Sequence, residues 1–166
     1  MDKKRAFKRV IVESQGLRPD LINREVRLPT DLQKVITLYG PRRGGKTYLF
    51  YQTMLELAKE GVPAKRILYV NFEDERILPF SKDDWEILLE AFFELYPENV
   101  GEKTYLFLDE AQEAPYWDKF VRRLSEKKEF RIFLTGSSSK LLSKEIATSL
   151  RGRTISFFLA PFSFRE

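Results

Sequence analysis

The string Gly40-Pro41-Arg42-Arg43-Gly44-Gly45-Lys46-Thr47 constrains this chain more than any other, because it fits G-x-x-x-x-G-K-[ST]. Such a run works between a buried strand, which carries the backbone to a sheet edge, and a helix, whose first turn presents free N–H groups and the positive end of a dipole. The flanking residues supply both. Lys34 to Tyr39 reads KVITLY, a β-rich apolar run halted by Gly40-Pro41. Leu49, Phe50, Met54, Leu57 and Ala58 then recur at helical spacing up to Gly61, and Pro63 completes the stop. The loop is expected to bring backbone N–H groups onto phosphate oxygens, with glycines permitting the tight turn. The expected nucleotide-binding residues are therefore Gly40, Pro41, Arg42, Arg43, Gly44, Gly45, Lys46, Thr47 and Tyr48. Lys46 reaches the β- and γ-phosphates and serves catalysis, the Thr47 hydroxyl ligates Mg²⁺, and Tyr48 offers a backbone N–H. Arg42 and Arg43 add guanidinium groups suited to phosphate, or simply solvated ones.

The rest of the chain repeats the alternation of strand and helix that builds a parallel sheet. Ile67 to Phe72 reads as a second strand, followed by a helix with Trp85, Leu88, Leu89, Phe92, Phe93 and Tyr96 on one face and Ser81 or Asp83 as its cap. Thr104 to Leu108 is a third strand, and Trp117, Phe120, Val121 and Leu124 mark the next helix. Phe130 to Leu134 is a fourth strand; Ser137, Ser138 and Ser139 can cap a helix running to about Leu150, and Thr154 to Leu159 forms a fifth strand. The fold class expected is α/β, a phosphate-loop nucleotide-binding domain with a five-stranded parallel sheet flanked by helices. Residues 1–33 are less periodic and are expected as a partly helical N-terminal extension to a domain spanning 34–166.

The third strand delivers Asp109-Glu110 to its C-terminal end, the edge where open α/β sheets bind ligands. Asp109 is the expected second Mg²⁺ contact, and Glu110 the group that orients or deprotonates the water attacking the γ-phosphate. The guanine-reading pattern Asn-Lys-x-Asp is missing from its place near the fifth strand, and Asp109-Glu110-Ala111-Gln112 replaces the Asp-x-x-Gly of a GTP switch. An Asp-Glu pair points to ATP and its hydrolysis. Thr135, Ser137 and Ser138 end the fourth strand, where a hydroxyl senses the γ-phosphate or caps a helix. Arg151 and Arg153 flank Gly152, where an arginine acts as a finger, in cis or across a subunit interface, or is solvated. Asn71, Glu73 and Asp74 lie near the same edge without a clear role.

Composition narrows the chemistry. The chain has no Cys and no His, which excludes thiol catalysis, Ser-His-Asp triads and metal sites built on sulfur or imidazole, and leaves a hard, oxygen-liganded ion such as Mg²⁺. The net charge of +4 is modest, although Lys3, Lys4, Arg5, Lys8 and Arg9 cluster at the N-terminus, so nucleic acid is a weakly supported partner. Charged residues form 33% of the chain, a composition that leans towards a thermophilic source. No run is long and apolar enough for a signal peptide or a membrane span, so a cytoplasmic protein is expected.

These motifs occur in the order of a known family. Gly-Pro-Arg-Arg-x-Gly-Lys-Thr, Leu-Phe-Leu-Asp-Glu-Ala-Gln with a Trp shortly after, Phe-Leu-Thr-Gly-Ser-Ser-Ser-Lys-Leu-Leu, Leu-Arg-Gly-Arg and Leu-Ala-Pro-Phe-Ser-Phe-Arg-Glu resemble the AAA-type ATPase domain of a large prokaryotic, often archaeal, family over residues 30–166. The resemblance implies a sheet of order 5-1-4-3-2. It also implies Lys46 and Thr47 as nucleotide and Mg²⁺ contacts, Asp109 and Glu110 as the acidic pair, residues 135–138 as the sensor, and Arg151 and Arg153 as the arginine turn. Members normally continue into a C-terminal domain, so this chain resembles an N-terminal fragment whose partner is that domain or another protein. Gly44 departs from the family, which more often places a bulky residue there. The expected function is Mg²⁺-dependent ATP binding and hydrolysis coupled to a conformational change. A slow regulatory nucleotide switch and a DNA-associated ATPase are the alternatives.

Overall fold

In the computed structural model, which describes residues 2–137, 150 and 152–161, the apolar runs pair side by side in parallel. The elements in chain order are α1 (Lys3–Gln15), β1 (Val35–Gly40), α2 (Lys46–Lys59), β2 (Ile67–Asn71), α3 (Asp84–Leu95), β3 (Thr104–Asp109), α4 (Trp117–Ser125), β4 (Phe130–Ser137) and β5 (Thr154–Phe158). The sheet runs β2-β3-β4-β1-β5, the expected order of 5-1-4-3-2. Parallel neighbours need crossovers that place helices on the sheet faces, which is why the interior strands are apolar on both sides. Every residue of β3 is buried.

Side-chain alternation sorts the sheet into two faces. On one, Ile36, Leu38, Tyr69, Tyr105, Phe107 and Phe133 lie beneath Leu49, Phe50 and Leu57 of α2. Phe107 stacks on Phe133 with ring centroids 4.5 Å apart, and Phe50 meets Phe107 edge-on at 5.1 Å. On the other face, Leu68, Val70, Leu106, Leu108, Ile132 and Leu134 are covered by α1, α3 and α4. Trp85 of α3 stacks on Phe120 of α4 at 4.2 Å, while its indole N–H donates to the Pro115 carbonyl at 2.8 Å.

The N-terminal segment enters this second layer. Asp2 caps α1 by accepting from the Lys4 N–H at 3.1 Å, and Phe7 and Ile11 are fully buried. The basic residues of α1 meet acids of α3: Lys4 pairs with Glu90 at 2.9 Å and with Glu94 at 2.8 Å, and Lys8 with Glu94 at 2.7 Å. Three of the five clustered cations, Lys3, Lys4 and Lys8, thus serve helix docking, while Arg5 and Arg9 are exposed.

Element ends differ from the sequence reading in small ways with local causes. β4 continues past Leu134 to Ser137 because its pairing with β1 continues to Gly40. α2 ends at Lys59, and Gly61 follows with φ 93°, a left-handed turn suited to glycine. Asp83 precedes α3 without a capping bond; instead the Asp84 carboxylate accepts from the Ser81 N–H at 2.7 Å. The helix expected between Ser137 and Leu150 lies outside the described residues.

Two outcomes follow for α1. Phe7→Ala should destabilise the protein by about 3–5 kcal/mol in denaturant unfolding, as for a core aromatic, whereas a loose appendage would register under about 0.5 kcal/mol. Hydrogen bonds from Lys4 and Lys8 hold the exposed Glu94 carboxyl down, from an ordinary 4.5 to about 2. A depressed value contributes stability above the ordinary one, and this is lost as pH falls through the folded one. Unfolding measured between pH 4.5 and 2 should therefore depend less on pH in Glu94→Gln than in the parent.

Candidate functional site

β1 delivers the loop to the edge at which β3 and β4 also end, with Gly40 paired to Ser137. A Cβ on Gly40 would stand 2.3 Å from the Leu159 carbonyl oxygen, so a side chain is excluded where the loop passes the end of β5. The Gly44 N–H closes onto the Pro41 carbonyl at 3.1 Å, and a Cβ at Gly44 would lie 2.9 Å from that oxygen. The departure from a bulky residue at this position is thus matched by a turn that leaves no room for one. Gly45 takes φ 86° to start α2. Lys46 is only 4% exposed, and its ammonium donates to the Gly40 and Pro41 carbonyls at 3.0 and 2.9 Å. An ammonium carries three N–H bonds, so the loop carbonyls aim this one while leaving a donor for an anion.

Thr47, in the first turn of α2, donates its hydroxyl to Asp109 Oδ2 at 2.7 Å. Asp109 is fully buried. The same Oδ2 accepts from the Tyr69 phenol at 2.8 Å, and Oδ1 accepts from the Thr135 hydroxyl. Thr135 in turn accepts from the Glu110 N–H at 2.9 Å, fixing the chain just past β3. No ion pair joins Asp109 to a Lys or Arg among the described residues; its partners are neutral hydroxyls. A buried carboxylate held this way is short of positive charge, and an all-oxygen donor set of carboxylate and hydroxyl fits a hard divalent cation. Burial and then the nearby Asp109 charge push the Tyr69 phenol far above its ordinary value, so it stays protonated and donates.

Glu110 leaves the strand with φ 52°, a conformation that costs a non-glycine residue about 1–2 kcal/mol and that turns the chain sharply at the sheet edge. Its carboxylate accepts from the Gln112 amide at 2.6 Å.

The structure brings Lys46, Thr47, Asp109, Glu110 and Thr135 to one edge. Arg42, Arg43 and Tyr48 share the loop and its helix start, but their side chains turn outwards. The Arg42 side chain is 78% exposed and turns to Glu73 at 3.4 Å, and Arg43 is exposed at φ 59°. The Tyr48 ring is exposed and packs edge-on against Tyr51, leaving only its backbone N–H for the loop's ligand. Of the alternatives open for Arg153, its place in the sheet does not favour a finger in cis. The residue precedes β5, where its carbonyl accepts from the Val35 N–H at 2.7 Å and its guanidinium pairs with Glu126 at 3.0 Å. This is the N-terminal edge of the sheet, the length of a strand or about 17 Å from the loop, farther than an arginine extends. Arg151 and Ser138 lie outside the described residues.

Sequence reasoning missed Arg24, Gln52 and Tyr69. Arg24 is buried; its guanidinium donates to the Gly44 carbonyl at 2.9 Å and the Ala160 carbonyl at 2.8 Å, tying the loop to the end of β5. Gln52 of α2 accepts from the Arg24 N–H at 2.8 Å. Nothing in the unpatterned stretch around Arg24 signals this. Tyr69 carried a signal, since it stands on the same face as Asn71, which is paired with Asp109.

Comparison with known proteins gives a profile match, described as AAA domain, over residues 32–166. An uncharacterised protein of Methanocaldococcus jannaschii is 41% identical over 168 residues, covering 100% of this chain and 36% of that protein. An uncharacterised protein of Haemophilus influenzae is 36% identical over 140 residues, covering 82% of this chain and 33% of its own length. The chain thus spans about a third of the length of these relatives. Among solved structures, AMPPCP-bound DnaA from Aquifex aeolicus aligns over 90% of this chain and 44% of its own, at 19% identity and a TM-score of 0.49. No helix among the described residues is long and apolar enough to cross a membrane.

The strut under the loop is testable. Arg24→Met keeps most of the apolar stem and strips the donors from two carbonyls, which should cost about 1–3 kcal/mol in thermal or denaturant unfolding. A change within about 0.5 kcal/mol would mean the contacts carry no load.

Proposed function

The chain belongs to the AAA-domain family, and from that premise we propose that it binds ATP with Mg²⁺ at the β1–α2 loop and hydrolyses it to ADP and phosphate. The observation that carries the reading is the hydrogen bond from Thr47 to Asp109. It sets a loop hydroxyl directly against a buried carboxylate that has no Lys or Arg partner among the described residues. Thr47 and Asp109 would hold the Mg²⁺. When bound, Mg²⁺ neutralises charge on the β- and γ-phosphates. The loop N–H groups and the start of α2 cradle the phosphates, and Lys46 donates to the terminal ones. Glu110 accepts a proton from the water that attacks the γ-phosphate, and Thr135, by fixing both Asp109 and the Glu110 backbone, keeps the acidic pair in register with the loop.

The remaining two thirds of the relatives supply the natural partner in this reading: ATP binding and hydrolysis here drive a conformational change in that portion. Arg151 or Arg153 then serves a neighbouring copy or domain, consistent with the placement of Arg153 far from its own loop. One observation favours the slow regulatory switch as a second reading. Gln112 grips the Glu110 carboxylate at 2.6 Å, a contact that restrains the base until something releases it. For the DNA-associated reading, Lys3, Lys4 and Lys8 are engaged by Asp84, Glu90 and Glu94, and Arg5 and Arg9 remain exposed.

Calorimetric titration of the folded chain with ATP, ADP and GTP in Mg²⁺ should show adenine-selective binding. Lys46→Ala should weaken ATP about tenfold to a hundredfold through loss of a charge-assisted phosphate contact, and unchanged affinity would remove Lys46 from the site. Glu110→Gln should bind ATP as the parent does and hydrolyse it about 10²–10⁴ times more slowly; normal turnover would place the base elsewhere.

A further inference from the structure

We propose that Tyr69 is a positioning residue for Asp109: its phenol holds the carboxylate in the orientation that takes up Mg²⁺ and stays on it when Thr47 turns away. The inference rests on the ATP·Mg²⁺ reading above. Asp109 has three side-chain donors, but they are not equivalent. Thr135 stands on β4 and Tyr69 on β2, the strands on either side of β3, so one fixed neighbour serves each carboxylate oxygen. Thr47 belongs to the loop helix and shares Oδ2 with Tyr69, at 2.7 Å against 2.8 Å. A Thr47 hydroxyl that turns to a cation removes one donor from Oδ2. The Tyr69 bond then remains, so the oxygen is neither left bare nor free to swing.

The protons have one consistent arrangement. The Tyr69 phenol has a single proton, and the Asp109 carboxylate only accepts, so the Tyr69 hydroxyl donates that proton to the bond with Asp109 Oδ2. The Tyr51 oxygen stands 3.3 Å from the Tyr69 oxygen and must therefore donate to it. Burial pushes both phenols above the ordinary tyrosine value, which keeps both protons in place through the neutral range. Tyr51 is one helical turn beyond Thr47 on α2, and its ring lies 5.4 Å from that of Tyr69. Tyr51 thus supports Tyr69 from the same helix that supplies the exchangeable donor.

The test separates this role from simple packing. Y69F keeps the ring and removes only the hydroxyl, and Y51F removes the hydroxyl that does not touch Asp109. ATP affinity is measured with Mg²⁺ and with EDTA on the parent and both variants, after each is shown to unfold cooperatively. The parent should bind ATP more tightly with Mg²⁺. Y69F should lose about tenfold or more of that gain while its Mg²⁺-free affinity stays within about twofold, and Y51F should keep the gain within about threefold. Loss of Mg²⁺-free affinity in Y69F, or an equal loss of the gain in Y51F, would assign the effect to packing and overturn the proposal. A full Mg²⁺ gain in Y69F would do the same. A parent with no Mg²⁺ gain would overturn the ATP·Mg²⁺ reading itself, and this assignment with it. Should Y69F not fold, the hydroxyl serves the fold itself and not the uptake of Mg²⁺, and the proposal is overturned.

Discussion

The site depends on one buried negative charge. Asp109 has no exposure to water and no cationic partner among the described residues, and three hydroxyls from α2, β2 and β4 take the place of its solvation shell. Isolated burial of a carboxylate is costly, so those hydroxyls must be delivered with correct geometry by elements far apart in sequence. The loop helix, the edge strand β2 and the inner strand β4 are thereby tied to one atom pair. Among the described residues no Lys or Arg balances that charge.

The sheet order makes this convergence possible. With β4 inserted between β3 and β1, the acidic strand end, Thr135 and the β1–α2 loop share one edge, while β2 stands outside to lend Tyr69. Side-chain alternation puts Tyr69, Asp109 and Thr135 on the face covered by α2, so the helix that begins at the loop also roofs the carboxylate. The opposite face is a packing layer. There α1, α3 and α4 bury aromatic surface, and the N-terminal helix joins that layer although its residues precede the family match at residue 32.

The loop and the acidic pair were legible in the sequence because their backbone demands are written in residue type. Gly40 and Gly45 stand where a close approach or a left-handed φ admits little else, and Asp109 follows a run too apolar to be anything but a buried strand. The strands were legible for the same reason, whereas their ends depend on pairing: β4 reaches Ser137 only because β1 is beside it. Arg24 was not legible, since its role is set by a loop that folds back over α2 and β5 with no periodic pattern. For Arg153 the sequence left a finger in cis, a finger across an interface and a solvated side chain all open. Its position before a strand was visible, but the edge at which that strand begins is a property of the assembled sheet.

The most direct measurement is a calorimetric comparison of ATP binding, with and without Mg²⁺, in the parent and in Asp109→Asn. The amide keeps the shape and removes the charge. The account predicts a Mg²⁺-dependent gain in the parent and equal affinities in both buffers for the variant. A folded Asp109→Asn that keeps the full gain would contradict it, because the cation would then be held without the carboxylate around which this edge is built.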